Sequence, residues 1–178
     1  MSLERAAAPD PYDVLPVVPS FDLTSVDLVD GRPMPMRQVH SSVGGENVSP
    51  QLSWSGFPAE TRGFVVTCYD PDAPTGSGFW HWLVVNIPAN VTELAAGAGS
   101  AGGKMPAGAL MTRTDFGKPG YGGPCPPEGD HPHRYLFSVF AVGKERIDVG
   151  ADTSAAVVGF NLHFATLAKA EIMGLFKR

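Results

Sequence analysis

The chain has 178 residues, 43% of them hydrophobic, and a formal net charge of −5. The hydrophobic fraction excludes an intrinsically disordered chain, and the length predicts a single domain over residues 1–178. The 21 glycines and 17 prolines exclude a mostly helical protein, because both residue types interrupt helices. No run of lysines and arginines occurs, which argues against a nucleic-acid partner.

Residues 1–20 predict an extended N-terminal arm lying on the domain, because four prolines interrupt any regular pattern there. The first residues lack the apolar segment of a signal peptide, and no stretch is long and apolar enough to span a bilayer. We therefore expect a cytoplasmic protein. In that setting the two cysteines, Cys68 and Cys125, are expected to be free thiols.

Three later segments have the β-branched and aromatic composition of buried strands, and a proline or glycine follows each. They comprise residues 63–69, 80–87 and 134–142. Within the second segment, regular alternation predicts that Trp80 and Trp82 lie on the face opposite His81.

The C-terminal quarter contains no proline after Pro132, so a helix is expected there. Thr153 or Ser154 is the expected N-cap. The predicted apolar face of this helix comprises Val157, Phe160 and Phe164. Residues 168–176 then alternate between apolar and polar side chains, which predicts a last strand. The sequence thus predicts a fold dominated by β-strands with one short C-terminal helix.

Two carboxylates, Asp70 and Asp72, follow the first strand at a spacing of two. Extended geometry would direct both to the same side, about 7 Å apart at their Cα atoms. The alternative is a solvated turn in which an aspartate binds its own backbone.

Other polar groups surround a loop rich in glycine and proline, residues 117–132. Gly122 and Gly123 can offer N–H groups to an anion. After the loop, His133 and Tyr135 share one face of a strand. His81 is a further candidate, although a histidine in an apolar strand is more often a core residue.

Enzyme signatures are absent from the sequence. Neither a nucleophile elbow nor a Walker A loop occurs. The histidines and cysteines lack the spacing of common metal sites, so no metal or cofactor is expected.

Three ordered motifs resemble the phosphatidylethanolamine-binding protein family, which includes the Raf kinase inhibitor proteins, and are most similar to its bacterial branch. They are D-P-D-A-P at 70–74, W-H-W at 80–82 within a longer strand, and Y-G-G-P-C-P-P at 121–127 followed by H-R-Y at 133–135. The resemblance implies two antiparallel sheets and a small pocket for phosphate, phosphorylethanolamine or carboxylates. The pocket residues that it implies are Asp70, Asp72, Pro74, His81, Gly123, Pro124, His133 and Tyr135.

The expected function is therefore that of a non-enzymatic binding and regulatory protein. The two histidines and the tyrosine would donate hydrogen bonds to phosphate, and an aspartate would meet an ammonium group. The resemblance further implies inhibition of a kinase or serine protease, and a homodimer is expected. The alternative is a hydrolase of phosphates or esters, using Asp70 and His81 as base and orienting group.

Overall fold

The structure, a computed structural model, describes residues 4–178. Nine strands and one α-helix are formed in this part of the chain: β1 (Asp22–Thr24), β2 (Arg32–Pro33), β3 (Leu52–Ser55), β4 (Gly63–Asp70), β5 (Phe79–Pro88), β6 (Glu93–Leu94), β7 (Leu110–Met111), β8 (His133–Val142), α1 (Ala155–Ala165) and β9 (Thr166–Phe176). The predicted β-dominated fold with a short C-terminal helix is confirmed, and the predicted strands match β4, β5, β8 and β9 closely.

The strands form two sheets. Six strands make the larger sheet in the order β2-β9-β8-β4-β5-β7, and three make the smaller one in the order β1-β3-β6. All pairings are antiparallel except that of β2 with β9, which is parallel. The two sheets expected from the family resemblance are present, with this one parallel pair added at an edge.

The larger sheet is covered on both faces. One face packs against the small sheet, where Trp54 contacts Phe64 and other apolar side chains of β4, β5 and β8. The opposite face packs against α1 through Val65, Leu83 and Val158. Every residue of β4 is consequently buried, which explains why most of its residues are apolar.

The regular alternation expected around His81 is interrupted by a β-bulge. Trp82 pairs with Cys68 while Trp80 pairs with Tyr69, so His81 is an extra residue on β5. The two tryptophans therefore pack into different cores, Trp82 between the sheets and Trp80 on the helix side. The prediction that both lie on one face is wrong.

The predicted apolar face of α1 is also wrong. Val157, Phe160 and Phe164 are 48%, 68% and 65% exposed. The buried face comprises Ala155, Val158, Leu162 and Ala165. Because the helix is apolar on nearly all sides, its sequence pattern does not specify which side packs. Ser154 occupies the N-cap position, but its side chain makes no capping hydrogen bond.

The N-terminal arm lies on the outer face of the larger sheet. Residues 1–3, which were predicted to be part of it, lie outside the described residues. The Tyr12 ring packs on Phe140 and beneath Lys169 Nζ, which is 3.5 Å from the ring centre. Between the arm, the sheet and α1 lies a mainly apolar cavity of about 670 Å³.

Two further sequence expectations concern thiols and membrane spans. Both cysteines are free, Cys68 in the core and Cys125 at the surface, as predicted. Of the helical structure in residues 4–178, none is long and apolar enough to cross a membrane.

Candidate functional site

The candidate site lies at one end of the larger sheet. Strand β4 is antiparallel to both of its neighbours, so its C-terminal end meets the N-terminal ends of β5 and β8. This arrangement brings together Asp70, His81, His133 and Tyr135, which we call the strand-end cluster. All four residues are buried, none being more than 4% exposed.

His133 bridges two carboxylates in the cluster. Its Nδ1 lies 2.7 Å from Asp70 Oδ2, and its Nε2 lies 3.1 Å from Asp130 Oδ2. Because carboxylate oxygens only accept hydrogen bonds, both ring nitrogens donate and the ring is an imidazolium. Burial opposes the charge, but the hydrogen bonds with Asp70 and Asp130 outweigh it and raise the pKa of His133.

His81 has the opposite protonation state. Its Nδ1 lies 2.7 Å from the Gly122 carbonyl oxygen, to which it donates a proton. Burial, the main cause, lowers the pKa of His81, so the ring is neutral near pH 7. Its Nε2 therefore carries no proton in the free protein, and a donor role toward phosphate requires uptake of one.

The Tyr135 hydroxyl makes no hydrogen bond of ordinary geometry with the residues that the structure describes, although the side chain is fully buried and the Asp70 carboxylate lies close enough to interact with it. Its ring packs edge-on against His81, with the centroids 5.1 Å apart. Burial and then the charge of Asp70 raise the pKa of Tyr135, which keeps the hydroxyl protonated. The cluster thus holds one unused O–H donor.

The loop after β7 covers one side of the strand-end cluster, but its two glycine N–H groups are not free to bind a ligand. The Gly122 N–H donates to the His81 carbonyl oxygen at 3.0 Å, and the Gly123 N–H donates to Asn47 Oδ1 at 2.7 Å. In this structure both glycine N–H groups expected to serve an anion are therefore already bonded. Phe116 packs over Gly122, and its ring meets the His81 ring edge-on with the two centroids 5.4 Å apart. The Phe116 side chain therefore covers the cluster.

Pro124 is buried beside these glycines, and its carbonyl oxygen accepts from the His40 N–H at 3.1 Å. This contact joins the loop to the segment before Ser41. Pro124 therefore shapes the frame of the site through its backbone.

Asp72 and Pro74 lie outside the cluster. Strand β4 ends at Asp70 and the chain turns, so the expected parallel carboxylates are not observed. Asp72 instead receives hydrogen bonds from Arg134 Nε at 2.7 Å and Arg134 Nη2 at 2.8 Å. Burial alone would raise the pKa of Asp72, but the Arg134 hydrogen bonds lower it. Pro74 is exposed in the turn.

The turn interpretation of this motif is realised in its backbone cap but not in its solvation, because Asp70 and Asp72 are both buried. Asp70 Oδ1 accepts from the Asp72 backbone N–H at 2.8 Å, while its other oxygen binds His133. One carboxylate thus caps the turn and orients an imidazole.

Sequence reasoning missed two residues of the site, Asp130 and Arg5. Arg5 Nη1 donates to both carboxylate oxygens of Asp130, at 2.6 and 2.9 Å, across 125 positions of the chain. Burial would raise the pKa of Asp130, but the bonds from Arg5 and His133 hold it far below its usual range. The D-H-P-H spacing at 130–133 was the available signal for Asp130, whereas nothing local marks Arg5.

A metal site is not formed by the part of the chain described. No group of three or more His, Cys, Asp or Glu side chains in residues 4–178 is arranged to hold an ion. The strand-end cluster itself offers hydrogen bonding and charge pairing in a buried, low-dielectric setting.

Comparison with known proteins gives consistent results. The family model for phosphatidylethanolamine-binding protein matches residues 24–177. Escherichia coli YbhB is 56% identical over 86% of this chain and 98% of its own length. Escherichia coli YbcL is 49% identical over 89% of this chain and 88% of its own length.

Solved structures agree with the sequence comparisons. The crystal structure of Escherichia coli YbcL, described as a new member of the mammalian PEBP family, superposes with a TM-score of 0.86. That alignment has 48% identity and covers 89% of this chain and 99% of YbcL. A carboxypeptidase Y inhibitor, solved with its cognate proteinase, shares the fold at 18% identity and a TM-score of 0.53. The chain belongs to the phosphatidylethanolamine-binding protein family.

Proposed function

We propose that this chain is a non-enzymatic binding protein whose strand-end cluster takes a small phosphate-bearing zwitterion such as phosphorylethanolamine. The observation that carries the proposal is the Tyr135 hydroxyl, buried and unpartnered among the described residues. Leaving such a group unsatisfied costs about 1–3 kcal/mol. A phosphate oxygen that accepts from this hydroxyl would recover that free energy.

The charges of the site favour a zwitterion over a bare polyanion. Asp70 and Asp130 share the positive charge of His133, and Arg5 supplies a second positive charge to Asp130. A phosphate dianion alone would be repelled by these carboxylates, whereas a ligand that also carries an ammonium group can pair with one of them. The phosphate would then lie toward Tyr135 and His81.

The contacts do not support the hydrolase alternative. That mechanism needs Asp70 and His81 to act together as base and orienting group, but Asp70 binds His133 and His81 donates to the Gly122 carbonyl oxygen. The two side chains are thus each engaged with another partner in this structure. We therefore favour binding over turnover.

Three other expectations of the sequence analysis stay predictions. These are inhibition of a kinase or serine protease, pairing into a homodimer, and a cytoplasmic location. The shared fold of the carboxypeptidase Y inhibitor is a link to protease binding that rests on fold alone.

Replacing Tyr135 with phenylalanine tests the proposal. We expect the affinity for phosphorylethanolamine to fall about tenfold or more, because one hydrogen bond to phosphate is lost. The free energy of unfolding should stay the same or rise, since an unsatisfied hydroxyl is removed. Titration calorimetry and urea denaturation measure the two quantities.

Tyr121→Phe is the matched control. The Tyr121 hydroxyl is also buried, but it donates to the Gln38 carbonyl oxygen at 2.8 Å. This variant should lose some stability and keep its affinity. Unchanged affinity in Tyr135→Phe would contradict the proposed ligand position.

A further inference from the structure

The N-terminal arm reaches the strand-end cluster and fills a position that a ligand could take. Arg5 donates to both oxygens of Asp130, its Nη2 donates to the Asp72 carbonyl oxygen, and this Nη2 lies 3.4 Å from His133 Nε2. The guanidinium thus binds the Asp130 carboxylate and the Asp72 carbonyl oxygen, and it lies beside the His133 imidazolium at the edge of the cluster.

The arm is held there at a second point. The Ala8 N–H donates to Asp72 Oδ1 at 3.2 Å, and the Ala8 carbonyl oxygen accepts from Arg134 Nη2 at 2.5 Å. Residues 5–8 therefore cross the carboxylate side of the D-P-D turn. A small cavity of about 250 Å³ beside Arg5, lined by Glu4, Arg5, Gly129 and His131, marks the edge of the contact.

Charge balance depends on Arg5. Three carboxylates are present around the cluster, those of Asp70, Asp72 and Asp130. Three cations face them, those of His133, Arg134 and Arg5. Without Arg5 the group carries one net negative charge, and the Asp130 carboxylate, whose side chain is 1% exposed, loses its strongest partner. Another cation, in addition to His133, is then needed beside Asp130 to restore the charge balance.

We infer that Asp130 and the Asp72 carbonyl form a cation subsite, and that Arg5 fills this subsite in cis as a latch that a ligand's ammonium group displaces. This inference rests on the proposed function and adds to it a means of regulation. The family model matches residues 24–177, so the latch segment lies outside that match.

The latch reduces ligand affinity in proportion to the time it is closed. An arm that is closed about nine-tenths of the time lowers the apparent affinity about tenfold. Arg5→Ala should therefore bind phosphorylethanolamine about fivefold to tenfold more tightly than the wild type. Arg146→Ala is the matched control, because Arg146 is exposed and follows the opposite end of β8 from His133. Its affinity should not change.

Trypsin cleavage at the Arg5–Ala6 bond reports the latch directly. Bound ligands ordinarily slow proteolysis, but a ligand that displaces Arg5 should speed cleavage at this bond by severalfold. Inorganic phosphate, which has no ammonium group, should not. The Lys104–Met105 bond, in an exposed loop, is the internal reference, and its cleavage rate should stay constant.

The outcomes separate this inference from the proposed function. Calorimetric binding of phosphorylethanolamine, with no faster cleavage at Arg5–Ala6 and no gain in affinity for Arg5→Ala, overturns the latch alone. Absence of binding in both the wild type and Arg5→Ala overturns the proposed function and the latch with it. Faster cleavage together with tighter binding supports both.

Discussion

His133→Ala is expected to lower the free energy of unfolding by about 3–5 kcal/mol near neutral pH, because it leaves the buried Asp70 carboxylate without its cation and removes one of the two cations bound to Asp130. The imidazolium lies between Asp70 and Asp130, at 2.7 and 3.1 Å, and is fully buried. The same variant should abolish binding of phosphorylethanolamine. Urea denaturation and titration calorimetry measure these effects.

The effect of His133→Ala should depend on pH. Because the folded state raises the pKa of His133 above its unfolded value, the stabilisation by its charge is complete below about pH 6.5 and is lost as the pH rises through the folded pKa. The difference between wild type and variant should therefore be larger at about pH 6 than at about pH 9.

His131→Ala provides the control for this prediction. His131 is two residues earlier and half-buried, and its ring Nε2 lies 4.0 Å from Asp130 Oδ1, so the side chain makes no short contact with that carboxylate. Its replacement should cost about 1 kcal/mol or less. Equal losses in the two variants would contradict the role assigned to the His133 bridge.

Gly123→Ala is expected to destabilise the protein by about 2–3 kcal/mol, because the added methyl group has no space. A Cβ at this position would lie 2.1 Å from the Gln38 carbonyl oxygen and 2.6 Å from the His40 nitrogen. These are backbone atoms, so the loop or the facing segment has to move. The Gly123 N–H bond to Asn47 would be disturbed as well.

Gly76→Ala is the matched substitution in a loop with open space. A Cβ added at Gly76 would have no atom of the described residues within 4 Å, and the φ of Gly76 is not in the left-handed region. We expect a change within about 0.5 kcal/mol by thermal or urea denaturation. If Gly123→Ala is equally mild, the glycine is not required for the close approach of the two segments.

The strands were predictable because their local composition is unambiguous. Residues 63–69 are β-branched and aromatic, and β4 spans Gly63–Asp70. The alternation in β9 was also informative, since Ala170 and Ile172 are buried while Lys169 and Glu171 are not. In both cases the residues of one short segment are enough to predict the strand.

The features that the sequence did not predict depend on contacts between distant segments. The bulge at His81 shifts the register of two strands, which alternation along one strand does not reveal. The pairing of Arg5 with Asp130 spans 125 positions. The packing side of α1 is set by the sheet beneath it, because Phe160 and Phe164 are as apolar as the residues that it buries.

The protonation states of the two histidines also depend on contacts between distant segments. Both are buried ring systems at strand ends, but His133 gains two carboxylates and His81 gains a carbonyl. Carboxylates stabilise the charged ring, whereas burial without them favours the neutral ring. Only the folded arrangement assigns these partners.

Imidazole nitrogen-15 resonances, followed near neutral pH while phosphorylethanolamine is added to the wild type, test the central claim most directly. The His81 ring is neutral in the free protein because burial lowers its pKa. A phosphate group bound beside it should raise that pKa and place a proton on Nε2, so the affinity should also increase as the pH falls. We predict a saturable shift of the His81 Nε2 resonance toward its protonated position. Resonances of His81 and His133 that stay unchanged throughout the titration would contradict the proposed binding site.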